Sequence, residues 1–191
     1  MVLFAPCVRP HAFASHPLVA LLRLASTGGL GHAIVARFPH DLSRELLTHS
    51  PPHLLFWSQL RAAFPRNLRV EGNTARFVHA LWAACEALRT LGPQIHSDVL
   101  IFTAGADNIV DNVYTEQFAL TLQSPAVRLV RFSGAYHELL IETDDVLKHI
   151  HDETTRFFQS SDDVASGDSS FTSNTVSKHQ SVTLANVKTE L

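Results

Sequence analysis

Two loops hold the side chains best suited to chemistry. Residues 103–112 read TAGADNIVDN and contain Asp107, while residues 133–142 read SGAYHELLIE and contain His137. An aspartate beside a histidine fixes the imidazole tautomer and stabilises its protonated form, which is what proton shuttling in hydrolysis requires. Taken singly, each residue has a plainer reading: Asp107 as a turn residue, and His137 as one loop histidine among the twelve in the chain. Other candidates are weaker. His149 and His151 lie two apart on a helical stretch, so they do not share a face and make poor joint metal ligands. Cys7 and Cys85 have neither metal nor redox spacing, and a pair of cysteines makes no disulfide framework. No cofactor or metal is expected.

The elements that must position Asp107 and His137 follow from hydrophobic patterning. Asp98–Thr103 (DVLIFT) is a continuous apolar run, typical of a strand covered on both faces. Ala126–Phe132 (AVRLVRF) predicts a second strand. Between them, a helix capped by Asn112 or Thr115 is expected to run through Leu122 and stop at Ser124-Pro125. Two strands joined by one helix imply a parallel, right-handed crossover. Asp107 and His137 then follow the carboxyl ends of neighbouring parallel strands, where sites in such sheets are built.

Upstream, Met1–Val8 is a short apolar run interrupted by proline and reads as a buried strand over about residues 2–6. Residues from His16 to about Leu91 carry helical periodicity, broken by Pro51-Pro52 and Pro65 and ended by Gly92-Pro93, with no strand signal. A last helix begins at Thr143. Asp144 and Asp145 sit in its first turn, and Val146, Leu147, Ile150, Thr154 and Phe157 or Phe158 form its buried stripe. Residues 159–191 hold eight serines and four threonines among 33 positions. Such a segment buries too little to offset its ordering entropy, so a disordered tail is expected.

TAGADNIVDN, followed a helix and a strand later by GAYHELLIE, resembles the acid and histidine motifs of lysophospholipases and monoacylglycerol lipases. These belong to the serine aminopeptidase-like α/β-hydrolases. The resemblance implies that Asp107 is the triad acid and His137 the general base, in the acid-then-histidine order of that fold. Asp111 matches a second acidic position, assigned to loop structure, and Glu138 and Glu142 match the pattern after the histidine. MVLFAPCV resembles the strand that follows the nucleophile helix. LLTHSPP and RVEGNTARFV resemble parts of an inserted helical cap. The implied architecture is the C-terminal part of an α/β-hydrolase over residues 1–158, with the cap at about 15–92 and the tail at 159–191.

The resemblance implies serine-dependent hydrolysis of esters of single-chain lipids, a lysophospholipid or a monoacylglycerol. Yet the sequence contains no G-x-S-x-G elbow. Ser26 in LRLASTGGLGHAIVAR is the one weighed substitute. It has Leu24 where the strained turn needs glycine, and it falls inside the presumed cap, so a loop between cap helices is preferred. The chain is therefore expected to be a truncated or inactive form. The alternative is a non-catalytic relative that binds an acyl ligand or a protein partner through its cap.

Composition narrows the partners. With 46% apolar residues and a net charge of -3, the chain suits a globular domain and gives no reason to expect nucleic acid. No apolar run is long enough to span a bilayer. The N-terminus lacks a basic region and has Pro6 in its apolar run, so a signal peptide is not expected. A reducing, cytoplasmic location follows, and Lys188–Leu191 reads as a frayed terminus. Phe56, Trp57, Phe77 and Trp82 suit an acyl pocket or, more simply, a core. Arg61, Arg66 and Arg69 near Phe64 would allow peripheral membrane contact. Nothing in the sequence speaks to oligomeric state.

Overall fold

The computed structural model describes residues 1–11, 16–37, 47–65, 72–166 and 181–183. Its centre is a sheet of strands in the order β1 (Val2–Phe4), β4 (Val99–Ala104), β5 (Val127–Phe132), β6 (Ser181–Thr183). β1 pairs parallel with β4, with Leu3 opposite Ile101, and β4 pairs parallel with β5, with Ile101 opposite Leu129. The three expected strands thus form, in the expected direction.

Every residue of β4 is buried, because both sheet faces are covered. Side chains alternate between the faces. Leu100, Phe102 and Ala104 point to the side of Val130, Phe132, Leu139, Ile150 and Phe157. Val99 and Ile101 point to the side of Leu129 and Ala119, with Leu3, Ile95 and Leu122 around them. The first face is covered by helix α5 (Asp144–Ser166), the second by helix α4 (Asn112–Thr121). Fully burying each large apolar side chain contributes about 1.5–3 kcal/mol, so the buried run of β4 contributes strongly to holding the sheet.

The region between β1 and β4 contains helices α1 (His16–Thr27), α2 (Pro51–Ala63) and α3 (Ala75–Leu91). α3 buries Ala75, Val78, Trp82 and Cys85, the three- and four-residue spacing of one helical face. Leu22 of α1 packs with Ala75 and Val78. α1 closes at Gly28-Gly29, where Gly29 has φ +89°, a conformation glycine adopts without a Cβ clash.

Sequence periodicity missed one feature here. β2 (Ile34–Arg37) and β3 (Gly72–Thr74) pair antiparallel, with a register shift between Ile34 and Ala36. Three or four residues, one of them glycine, are too few for alternation to register. Thr74 also caps α3, accepting from the Phe77 amide at 3.2 Å. The cap of α4 differs from expectation too: Asp111, not Asn112 or Thr115, accepts from the Val113 amide at 3.0 Å. Asn112 instead donates to the Ala104 carbonyl at 2.7 Å, and Thr115 is fully buried with its hydroxyl toward Pro6.

The stretch after Phe158, expected to lack order, carries two regular pieces. α5 continues to Ser166, and β6 pairs antiparallel with β5, with Val182 opposite Leu129. The rest of that stretch lies outside the described residues. Within α5, Ile150 and Phe157 are buried while Phe158 is exposed, which decides the stripe in favour of Phe157.

Candidate active site

β4 and β5 deliver their following loops to one edge of the sheet, and backbone contacts lock those loops together. The Gly105 amide donates to the Phe132 carbonyl at 2.7 Å, and the Ala106 amide to the Ala135 carbonyl at 3.0 Å. The approach is so close that a Cβ at Gly105 would stand 2.4 Å from the Ser133 carbonyl oxygen. Only glycine fits this crossing.

Asp107 and His137 meet there. His137 Nδ1 lies 2.8 Å from Asp107 Oδ2. The other carboxylate oxygen, Oδ1, accepts from the amides of Ile109 at 2.8 Å and Val110 at 2.9 Å. The Asp107 side chain is wholly buried and that of His137 is 19% exposed. Burial opposes ionisation of Asp107, but the bond from His137 and the two amides outweigh it and hold the carboxyl below its ordinary range. Burial likewise opposes charging His137, yet the bond to Asp107 and its negative charge prevail and raise the imidazole above its ordinary value. With Nδ1 committed to the carboxylate, Nε2 is the nitrogen left to exchange a proton.

Each loop is braced by a distant segment. Beyond β1, Asp111 donates its amide to the Arg9 carbonyl at 2.8 Å, and His11 donates to the Ile109 carbonyl at 3.0 Å. Ala5, just before Pro6, has φ +36°, strained for a residue with a Cβ, and its amide is held by the Phe102 carbonyl at 2.8 Å. Arg9 lies 4.1 Å from the ring centre of Tyr114 and 5.4 Å from that of Trp82. The His137 loop is braced by residues 47–50, through contacts separated by some ninety positions in the chain that no local pattern announces.

The remaining candidates do not join this pair. Ser26 lies in the last turn of α1, not at a strand-to-helix turn. Among the described residues, His137 has no serine hydroxyl as hydrogen-bond partner. Cys7 follows β1, and its carbonyl accepts from the Cys85 thiol at 3.4 Å. Burial, and less strongly the charge of Asp107, push the Cys7 thiol up, and burial pushes Cys85 up to about 11. Trp82 is buried against the helical region, but Phe56, Trp57 and Phe77 are about half exposed and form no core. His149 stands 3.8 Å from Glu153, which Arg128 also meets at 2.5 Å. Arg66 and Arg69 lie outside the described residues.

A parallel sheet with an acid and a histidine after consecutive strands, and helices inserted before them, is the C-terminal part of an α/β-hydrolase fold. The sequence profile of the serine aminopeptidase family, S33, matches residues 1–144, and the chain belongs to that family. Among solved structures it is similar to a soluble variant of monoglyceride lipase from Saccharomyces cerevisiae in complex with a substrate analog. The identity is 17% and the TM-score 0.61, over 83% of this chain and 52% of that one. It is also similar to a monoacylglycerol lipase from Paleococcus ferrophilus, with 17% identity and a TM-score of 0.63, over 82% of this chain and 57% of that one. The chain thus spans little more than half the length of these structures. No curated protein sequence matches.

Proposed function

We propose that this chain supplies the acid and base of a serine-dependent ester hydrolase acting on single-chain lipid esters. The carrying observation is the 2.8 Å bond between His137 and an Asp107 that two backbone amides orient. In this reading a serine hydroxyl gives its proton to His137 Nε2 as its oxygen attacks the ester carbonyl. Asp107 holds Nδ1–H and stabilises the imidazolium, and His137 then hands the proton to the departing alcohol. Water repeats the cycle to release the acid. The lipid-ester assignment is supported by the two lipases whose fold the chain shares.

The serine must come from outside the site described, since the sequence has no G-x-S-x-G. A second, non-catalytic reading, binding of an acyl ligand or a protein partner through the cap, draws on α2. That helix buries no residue and exposes Leu55, Phe56 and Trp57. The same surface would suit peripheral contact with a lipid layer. Among the described residues no helix is long and apolar enough to cross a membrane.

The chain should be mixed with a fluorophosphonate probe and, separately, with a monoacylglycerol and a short-chain ester. No label and no turnover are expected. Stoichiometric labelling abolished by Ser26→Ala would promote Ser26 to nucleophile. Turnover that survives Ser26→Ala but is lost in His137→Ala would place the nucleophile on another serine of this chain. Turnover untouched by His137→Ala would sink the reading.

A further inference from the structure

Glu142 is 1% exposed, and none of its hydrogen bonds reaches Asp107 or His137. Its Oε1 accepts from the Tyr136 amide at 2.8 Å and lies 2.9 Å from His49 Nδ1. Its Oε2 accepts from the His49 amide at 3.0 Å and the Thr143 amide at 3.2 Å. Burial opposes the charge, but these donors outweigh it and hold the carboxyl below its ordinary range. Further links run in parallel. The Thr48 hydroxyl donates to the Ile141 carbonyl at 2.6 Å, and the Glu138 amide donates to the Leu47 carbonyl at 2.9 Å. The His49 ring stacks on Tyr136, with centres 3.9 Å apart and planes 11° from parallel.

The consequence falls on the residue in the middle. His137 has both neighbours pinned: Tyr136 to Glu142 and Glu138 to Leu47. Residues 47–50 lead directly into α2, whose N-cap is Ser50. A buried carboxylate that gathers three backbone amides from two distant segments is a joint between them.

We propose that Glu142 is a positioning residue that holds the His137 backbone against residues 47–50, so that the imidazole meets Asp107 only while the segment leading into α2 is docked. This rests on the reading of His137 and Asp107 as a working pair. Loss of a hydrogen bond to a charged group costs about 1.5–3 kcal/mol, so opening of the loop should become at least about tenfold more frequent without Glu142.

The test is NMR of the 191-residue chain with labelled histidine, reading solvent exchange of the His137 Nδ1 proton held by Asp107. Glu142→Ala should speed that exchange at least tenfold. Thr48→Val, which leaves Glu142 in place but removes the bond to Ile141, should speed it by a smaller factor. Glu142→Gln keeps one acceptor and should fall between Glu142→Ala and the parent. Wild-type exchange in a folded Glu142→Ala variant would overturn the proposal. Should that variant fail to fold, wild-type exchange in both Glu142→Gln and Thr48→Val would overturn it equally. Asp107→Asn separates the two layers: a Nδ1 proton as protected there as in the parent would refute the underlying pair instead.

Discussion

Replacing Asp107 by asparagine changes one oxygen for an NH2 group and leaves the volume almost untouched. The structure dictates which way the amide turns. Two backbone donors, from Ile109 and Val110, point at Oδ1, so the amide oxygen must stay there and the NH2 must face His137. An NH2 donor facing Nδ1 forces the proton onto Nε2, the wrong tautomer for accepting a serine proton. The charge is lost as well. His137, then left with burial opposed only by the smaller effect of the Glu138 charge, should titrate below its value in the parent. Stability should fall by about 1.5–3 kcal/mol where both partners are charged, from loss of a charge-assisted bond.

The pH window follows from the directions of the two shifts. Asp107 titrates low in the fold, so its contribution is full above its unfolded value near 3.8 and is lost as pH falls through the folded value. His137 titrates high, so its contribution is full below its unfolded value near 6.5 and is lost as pH rises through the folded value. The deficit of Asp107→Asn should therefore be widest between about pH 4 and 6.5 and shrink on either side. For a chain of this size that amounts to about 3–12 °C in Tm. Thermal melts of both proteins from pH 4 to 9, with histidine NMR for the tautomer, decide the matter. An unchanged tautomer, or a deficit that grows above pH 8, would refute the reasoning.

Other positions give independent checks. Gly105→Ala places a Cβ 2.4 Å from the Ser133 carbonyl; urea unfolding should show a loss of about 1–3 kcal/mol, with the Asp107–His137 bond weakened. Phe102 is fully buried between Phe4 and Phe132. Phe102→Ala should cost about 3–5 kcal/mol in the same experiment, with Leu140→Ala, more than half exposed, as a near-neutral control. Removing residues 167–191 deletes β6. Hydrogen exchange on β5 should accelerate while β4, flanked by β1 and β5, keeps its protection.

What was legible in the sequence was what depends on local pattern. The run Asp98–Thr103 read as a strand covered on both faces, and the stripe through Ile150 and Phe157 or Phe158 as the buried face of the last helix. Strand–helix–strand connectivity then put Asp107 and His137 at one edge. Ile34–Arg37 and Gly72–Thr74 were too short to announce a hairpin-like pairing across 34 intervening positions. Glu142 was visible only as a match to a motif. Its partner His49 lies more than ninety residues away in the chain, and buried carboxylates are uncommon enough that a charged residue reads as surface. Ser181–Thr183 failed for the opposite reason, since a Ser- and Thr-rich composition says nothing of a short strand that borrows an existing edge. Ala5 carries a positive φ that its residue type argues against, a strain held by the Phe102 carbonyl.

The central claim is that His137, oriented by Asp107, is a working general base. The direct measurement is monoacylglycerol hydrolysis by a chimaera in which residues 1–158 replace the matching portion of the Paleococcus ferrophilus monoacylglycerol lipase and the rest of that lipase is kept. The account predicts turnover that rises with pH through the raised His137 value. It also predicts that His137→Ala abolishes this turnover and that Asp107→Asn cuts it by about four powers of ten. A folded chimaera whose turnover is indifferent to His137→Ala would contradict it.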